Sequence, residues 1–183
     1  TPEASVNNPV LYDFLFETIW QDDASQKMEV IDLDTWLDDY ATRRYGAESE
    51  SANQAWDILK ETVYKASLNG LGQGAPESVV NARSESYDRG GFYMGSTRWI
   101  SYEKGDLEEA AALLLADYDK LKDSAGYQYD LANVLQQVLS NSAQEYQKRY
   151  VCSVQRKRSG QLKTYSEKIM SVIEDMEKVT GTS

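Results

Sequence analysis

Apolar side chains recur at intervals of three and four residues along most of this 183-residue chain. That spacing places them on one face of an α-helix, whereas a β-strand would alternate them at every second position. About six such stretches follow one another, most of them joined by short links. The pattern therefore predicts an all-α fold, an irregular multi-helix bundle. No repeat of fixed period is present, so a solenoid is not expected.

The helix ends are marked by capping residues. Asn8-Pro9 reads as an N-cap followed by a first-turn proline, and Gly46 as a left-handed C-cap. Asp106 with Glu109 forms a capping box, and Ser159-Gly160 reads as a turn. The third helix starts after either Ser49 or Ser51. The predicted helices cover about 10–21, 34–45, 52–68, 107–122, 127–158 and 161–179. In the first of them, the stripe expected to be buried comprises Leu11, Phe14, Leu15 and Ile19.

A glycine-rich segment interrupts the helical pattern between residues 70 and 104. It is predicted to be irregular, with one short helix around 76–82. Compact domains seldom carry long structureless connections without a use, so this segment is a candidate for function. It is not a phosphate loop, because its glycines follow a helix and no Lys-Ser/Thr comes after them.

Composition excludes several kinds of chemistry. The chain has no histidine, which removes Ser-His and Cys-His nucleophiles and most zinc sites. Acid–base work must then fall to carboxylates, tyrosine or lysine. The single Cys152 has no partner for an internal disulfide and is interpreted as a small buried hydrophobe. No metal or cofactor is expected.

The net charge of −11 has the wrong sign for a nucleic-acid binder, which must displace counterions from phosphates. The one basic cluster, between residues 148 and 163, is interpreted as complementing the C-terminal end of a long helix. No apolar run reaches the ~18 residues of a membrane-spanning helix. Nucleic acid and a membrane span are therefore not predicted.

Two residue groups could be mistaken for binding sites. The four acids Asp32, Asp34, Asp38 and Asp39 fail the EF-hand spacing and are read as an acidic helix start. The tryptophans at positions 20, 36 and 56 lie on apolar helical faces and are predicted to be core. Trp99 lies in the irregular segment, where a core role and a site role are evenly matched.

Several motifs together resemble the α-N-acetylglucosaminidases, glycoside hydrolase family 89. They are Thr1-Pro2-Glu3-Ala4, Asn8-Pro9-Val10-Leu11-Tyr12-Asp13 with Glu17 and Trp20, Trp36-Leu37, Tyr40-Ala41, Arg43-Arg44-Tyr45-Gly46, Ala55-Trp56 with Leu59 and Val63-Tyr64, Trp99, and Tyr129-Asp130-Leu131. The similarity covers most of the chain and is densest over the first 65 residues. Arg43-Arg44-Tyr45-Gly46 is the most specific of these motifs.

The resemblance implies part of a retaining, exo-acting hydrolase that removes terminal α-linked N-acetylglucosamine from glycans. Such enzymes have a (β/α)8 barrel followed by an all-α domain that packs against it. Residues 1–8 would be the end of the barrel and 9–183 the helical domain, incomplete at its C-terminus. Glu3 matches the nucleophile of the family's Pro-Glu-Gly motif, with Ala4 in place of the glycine. A secreted, periplasmic or lysosomal parent would be expected.

A retaining glycosidase needs two carboxyl groups roughly 5 Å apart. Glu3 supplies one, and the family's acid/base glutamate lies upstream, so this chain alone is expected to be inactive. Arg83, Trp99 and Tyr102 are predicted to form the rim of the sugar pocket. The upstream barrel would be the partner of the helical domain, and one face of this chain alone is expected to be too apolar.

Two other functions remain open from the residues. A non-catalytic helical interaction or scaffold module would fit the composition, because capped helical bundles with acidic surfaces are common. It has no need, however, for Pro2-Glu3 ahead of the Asn8-Pro9 helix start. A standalone lectin-like sugar binder would need a preformed pocket within these residues.

Overall fold

The computed structural model describes residues 9–19, 32–64 and 102–181. Every regular element in these ranges is helical, so the prediction of an all-α fold is confirmed. The helices are α1 (Pro9–Ile19), α2 (Leu33–Asp38), α3 (Tyr40–Tyr45), α4 (Glu50–Leu59), α5 (Lys104–Ala116), α6 (Tyr118–Leu121), α7 (Ala125–Gln155) and α8 (Ser159–Gly181). A π-helical turn, Lys60–Tyr64, continues α4. None of the helices in the described ranges is long and apolar enough to cross a membrane.

Several predicted features lie outside the described residues. They are the N-cap Asn8, Trp20, the stop at Asn69-Gly70, the glycine-rich segment up to residue 101 and the short helix within it.

The C-cap predicted at Gly46 is confirmed, and one residue of the predicted acidic helix start, Asp32, is the N-cap of α2. The Asp32 carboxylate caps α2 by accepting from the backbone N–H of Thr35 at 2.9 Å. Gly46 ends α3 in the left-handed region with φ +74°, which glycine adopts without a Cβ clash. The single helix expected between them is interrupted at Asp39, whose backbone N–H bonds to the carbonyl of Leu37. The prediction of one continuous helix was therefore wrong, because a tight turn at Asp39 divides the segment into α2 and α3.

The predicted capping box at the start of α5 was wrong. The helix begins at Lys104, and its N-cap Glu103 makes no side-chain capping bond. Asp106 lies inside the first turn, where its N–H bonds to the carbonyl of Glu103. The same stretch was predicted to be one helix to Lys122, but it divides at Asp117 into α5 and α6.

The turn between α7 and α8 lies earlier than predicted. Ser159 and Gly160 are the first residues of α8, and the chain reverses at Lys157 with φ +52°. The N–H of Lys157 bonds to the carbonyl of Val154, and the N–H of Arg158 to that of Ser153. This is the Schellman arrangement, with lysine at the position that glycine usually occupies.

The main core lies between α2, α3, α4, α5 and the first half of α7. Trp36 and Trp56 are buried there, which confirms their core interpretation. The edge of the Tyr40 ring contacts the Trp56 ring, and the Tyr45 and Tyr127 rings are likewise perpendicular. The apolar spacing of the helix predicted over 127–158 predicts a buried stripe of Leu131, Val134, Leu135, Val138 and Leu139, and α7 confirms it. Leu131 and Val134 are buried in the core, and the other three pack against the two hydrophobic clusters.

A smaller second cluster joins the far half of α7 to α8. It is centred on Ala143 and Val172, with Leu139, Tyr146 and Met176 packed around them. Cys152 lies on this half of α7 and is partly exposed, so the prediction of a buried thiol was wrong.

The predicted stripe of α1 is only partly correct. Phe14 packs against the main core, whereas the side chains of Leu15 and Ile19 are exposed. Leu11 belongs to the helix, but its side chain lies outside the description. The helix therefore turns a different face inward from the one that its leucines and isoleucine suggested.

Candidate functional site

Of the four predicted site residues, Tyr102 is the one within the described part of the chain. Glu3, Arg83 and Trp99 lie outside it, and their roles stay predictions. Tyr102 stands just before α5, half-buried against the main core.

The hydroxyl of Tyr102 accepts a hydrogen bond from Nδ2 of Asn141 at 3.2 Å. Burial raises the pKa of this phenol, and hydrogen bonds with Asn141 and Gln137 only partly counter that effect. Tyr102 is therefore neutral at physiological pH. It could donate a hydrogen bond to a sugar hydroxyl, but it is not a base.

Two of the motif segments meet in the structure although they lie far apart in the sequence. Arg44 on α3 forms a two-pronged ion pair with Asp130 on α7: Nε lies 2.7 Å from Oδ2, and Nη2 lies 3.1 Å from Oδ1. Such bidentate pairs fix orientation as well as distance. A Cβ added at Gly126, one turn earlier on α7, would lie 2.8 Å from the carbonyl oxygen of Arg44. Glycine there permits the close approach of α3 and α7 on which the ion pair depends.

The ion pair is strongly desolvated. Asp130 is 4% exposed, and burial raises the pKa of its carboxyl against the hydrogen bonds and charge of Arg44. Burial also acts to lower the pKa of Arg44, but the hydrogen bond and charge of Asp130 outweigh that effect and the net shift is upward. Tyr45 adds a hydrogen bond to Asp130, and its hydroxyl accepts from Nε1 of Trp56 at 2.9 Å. Burial raises the pKa of Tyr45 far above its usual range, so it stays protonated.

The same arginine reaches toward α1. Nη1 of Arg44 lies 3.6 Å from Oδ2 of Asp13, and the Tyr40 hydroxyl donates to the same oxygen at 3.4 Å. The guanidinium also stands over the rings of Tyr40 and Tyr129, at 5.9 and 5.8 Å from their centroids. Asp13 is thereby tied to α3 one turn after α1 begins.

The neighbouring arginine holds the next turn of α1. Nη2 of Arg43 lies 3.8 Å from Oε2 of Glu17, and Nε1 of Trp36 donates a short hydrogen bond to that oxygen. Arg43 also donates to the carbonyl oxygen of Trp36 at 3.1 Å and lies 5.0 Å from the centroid of its ring. Two consecutive arginines of α3 thus each hold one carboxylate of α1. We call this set, Asp13, Glu17, Trp36, Tyr40, Arg43 and Arg44, the arginine clamp.

All six clamp residues belong to the motifs quoted above, but Trp36 alone had a predicted role, as a core residue. One signal was available: Asp13 and Glu17 stand four residues apart, a spacing that puts both on one helix face. The partners on α3 could not be inferred from spacing, because no periodicity relates two separate helices. The Asp13 carboxylate contacts Arg44 and Tyr40, and the Glu17 carboxylate contacts Arg43 and Trp36, which indicates that the clamp fixes α1 in place.

The described residues thus form an all-α fold in which α1 packs through Val10 and Phe14 and contacts α2 and α3 through the arginine clamp. A family model described as Alpha-N-acetylglucosaminidase (NAGLU) C-terminal domain matches residues 36–183. The chain belongs to this family, and the resemblance seen in its motifs is confirmed. Human Alpha-N-acetylglucosaminidase is 30% identical over 145 residues, which cover 79% of this chain and 18% of that protein.

Solved structures give the same result. CpGH89 from Clostridium perfringens, a doubly substituted form in complex with its substrate GlcNAc-α-1,4-galactose, is 34% identical with a TM-score of 0.78. The match covers 94% of this chain and 18% of that chain. The Family 89 Glycoside Hydrolase from the same organism, in complex with 2-acetamido-1,2-dideoxynojirmycin, is 34% identical with a TM-score of 0.77, covering 94% and 19%. This chain therefore spans less than a fifth of the length of these relatives.

Proposed function

We propose that this chain is the helical region of a retaining, exo-acting glycoside hydrolase that releases terminal α-linked N-acetylglucosamine. The observation that carries the proposal is the match to the C. perfringens structure bound to GlcNAc-α-1,4-galactose, which extends over 94% of this chain at 34% identity. The glycan substrate and the remainder of the parent enzyme are the partners that this proposal requires. In it, residues 1–8 end the catalytic barrel and residues 9–183 form the helical domain.

In the proposed mechanism, Glu3 is the nucleophile. Its carboxylate attacks the anomeric carbon, the glycosidic C–O bond breaks, and a carboxylic acid elsewhere in the parent protonates the leaving oxygen. Water then hydrolyses the glycosyl ester with the same acid acting as base. Glu3 lies six positions before Pro9, the first residue of α1. The arginine clamp contacts the second and third turns of α1, which supports a role for this region in holding a strand end that carries a nucleophile.

The sugar-binding part of the proposal assigns Arg83, Trp99 and Tyr102 to the rim of the pocket. An aromatic ring can stack on a pyranose face, and an arginine can donate to its hydroxyls. The neutral phenol of Tyr102 has the right protonation state for such contacts.

The nucleophile is tested by Glu3→Gln in the full-length parent. We expect turnover of an aryl α-N-acetylglucosaminide to fall by several orders of magnitude, because no carboxylate remains to form the glycosyl ester. Azide added to a Glu3→Ala variant should restore turnover and yield the glycosyl azide of inverted configuration. The matched control is Glu109→Gln, an exposed glutamate of α5 that should leave activity unchanged.

Retained activity in Glu3→Gln would remove Glu3 from the mechanism. For the pocket rim, Tyr102→Phe should raise the Michaelis constant, and the exposed Tyr118→Phe should not. Unchanged kinetics in Tyr102→Phe or in Arg83→Ala would remove that residue from the rim.

A further inference from the structure

Asn141 is a buried polar side chain in the middle of α7. It is 4% exposed, and along the helix it stands between Val138, which packs against the main core, and Ala143 of the second cluster. Burying an amide costs free energy unless its polar atoms are hydrogen-bonded, and an apolar side chain avoids that cost. The bonds that Asn141 makes therefore indicate what the amide is for.

Both polar atoms of the Asn141 amide are used. Its Oδ1 accepts a hydrogen bond from Nε2 of Gln137 at 2.9 Å, and its Nδ2 donates to the Tyr102 hydroxyl at 3.2 Å. Gln137 stands four residues earlier, on the same face of α7, so its bond fixes the amide with the nitrogen turned toward Tyr102. The helix thus presents an N–H donor to the phenol oxygen from a fixed direction.

The Tyr102 hydroxyl is thereby left as a donor. Burial raises the pKa of the phenol, and hydrogen bonds with Asn141 and Gln137 lower it in part, as donors to the phenol oxygen do. The proton stays on the oxygen at physiological pH, and no acceptor bonds to it among residues 9–19, 32–64 and 102–181. A hydroxyl can accept at its lone pairs and donate its own proton at the same time, so this phenol can donate to a further group.

A second contact holds the same piece of chain to α7. Nζ of Lys104, two residues after Tyr102, lies 3.6 Å from Oε2 of Glu145, which stands one turn after Asn141. The two side chains are 35% and 42% exposed, so this pair contributes little to stability. The start of α5 is therefore held against α7 at two successive turns, and the buried amide is the contact that defines where the Tyr102 hydroxyl lies.

We propose that Asn141 is a positioning residue for substrate binding. It donates to the Tyr102 oxygen and so directs the phenol proton toward an acceptor oxygen of the bound sugar. Asn141 itself does not touch the sugar, and Gln137 supports it by fixing the amide. The inference rests on the proposed function, in which Tyr102 belongs to the rim of the pocket.

The test uses Asn141→Asp in the full-length parent, a change that keeps the shape of the side chain but replaces the N–H donor by an acceptor oxygen. That oxygen would take the Tyr102 proton, so the phenol could no longer donate to the sugar. We expect the Michaelis constant for an aryl α-N-acetylglucosaminide to rise about 2- to 10-fold, the effect of one hydrogen bond, with turnover unchanged. The matched control is Asn133→Asp, at an exposed asparagine two turns earlier on α7, which should change neither constant.

A double substitution separates positioning from packing. Tyr102→Phe removes the hydroxyl, so adding Asn141→Asp to it should raise the Michaelis constant no further. Additive effects would mean that Asn141 acts otherwise than through the phenol, and the proposal would be wrong. Gln137→Ala, at an exposed position, is the second variant in case Asn141→Asp does not fold. It releases the amide and should raise the Michaelis constant in the same direction, again with no added effect in Tyr102→Phe.

A spectroscopic readout on this 183-residue chain is independent of catalysis. With tyrosine labelled at Cζ, the carbon NMR signal of Tyr102 is assigned by its loss in Tyr102→Phe. Asn141→Asp should shift this signal at neutral pH, because the hydrogen bond at the phenol reverses its direction, whereas Asn133→Asp should leave it in place. An unshifted signal in Asn141→Asp would mean that the amide does not bond to the phenol, which removes the basis of the proposal.

The outcomes distinguish this inference from the proposed function. If Glu3→Gln loses activity but Tyr102→Phe leaves the Michaelis constant unchanged, the nucleophile assignment stands, and the positioning role of Asn141 falls with the rim role of Tyr102. If Glu3→Gln stays active while Asn141→Asp and Tyr102→Phe raise the Michaelis constant without adding, the positioning role stands and the nucleophile assignment falls.

Discussion

Removing the carboxylate of Asp130 should destabilise this chain more than any surface ion-pair change. In Asp130→Ala, the Arg44 guanidinium loses both of its short bonds, at 2.7 and 3.1 Å, while its side chain stays 18% exposed. Breaking a buried pair by deleting one partner typically costs about 3–5 kcal/mol, because the other charge is left uncompensated. Asp13, at 3.6 Å from Arg44, offsets part of the loss. We therefore expect the lower end of that range, ~3 kcal/mol.

The assay is urea unfolding of the 183-residue chain, followed by circular dichroism. With a urea dependence of about 2 kcal/mol per molar, a loss of about 3 kcal/mol moves the midpoint down by about 1.5 M. The control is Lys163→Ala, which removes a pair with Glu167 whose two side chains are 80% and 66% exposed. Exposed pairs contribute about 1 kcal/mol or less, so its midpoint should barely move.

A second variant tests the cause rather than the size of the effect. Replacing both partners, Arg44→Met with Asp130→Leu, removes the desolvation cost together with the attraction. It should therefore be more stable than Asp130→Ala. The reasoning is refuted if Asp130→Ala unfolds at the same urea concentration as Lys163→Ala, or if the double substitution recovers nothing.

Two further predictions concern the contacts around this ion pair and the start of α4. Gly126→Ala should lower the free energy of unfolding by ~1–3 kcal/mol, because the new methyl group would meet the backbone of Arg44. The control, Gly160→Ala, has open space around the added methyl and should be neutral or stabilising. The urea midpoints of the two variants test this difference. Ser49→Ala should cost ~1 kcal/mol through its lost cap. A hydrogen bond from Ser49 is also the main cause that lowers the pKa of the Asp117 carboxyl in the folded state. This bond therefore stabilises the fold above the unfolded-state pKa of Asp117, ~3.9, and the stabilisation is lost as the pH falls through the lower folded-state pKa. The deficit of Ser49→Ala, followed by unfolding at a series of pH values, should therefore shrink in acid, and a deficit independent of pH would contradict this role of Asp117.

The parts of the fold that the sequence predicted are those decided by local chemistry. Gly46 needed only its own freedom at positive φ, and the periodic leucine and valine pattern of α7 already defined its buried side. Residues whose conformation is imposed by distant neighbours were missed. Lys157 adopts φ +52° because the chain must reverse to bring α8 back along α7, and lysine gives no sign of that in the sequence. Ser159-Gly160 was the stronger turn signal in the sequence, but these residues begin α8 and the turn lies at Lys157.

The candidate site shows the same division. Spacing placed Asp13 and Glu17 on one side of α1, but nothing in the sequence could say that Arg43 and Arg44 would receive them. Hydrophobic periodicity identified α1 as a helix, but the buried stripe that it predicted included Leu15 and Ile19, which are exposed, and only Phe14 of the described members packs against the core. The predicted roles of Glu3, Arg83, Trp99 and Tyr102 came from resemblance to a family, and they stay predictions.

The continuous helix α7 contributes residues to both hydrophobic clusters, and this restricts where insertions or deletions can be accommodated. The 31 residues of α7, about 46 Å in length, carry Leu131 and Val134 at one end and Ala143 further along. Inserting one residue between Val138 and Ala143 would rotate the rest of α7, together with α8, by ~100° relative to the main core. Insertions and deletions are therefore tolerated better at the chain reversal around Lys157 than within α7, because the continuous helix fixes the rotation of one hydrophobic cluster relative to the other.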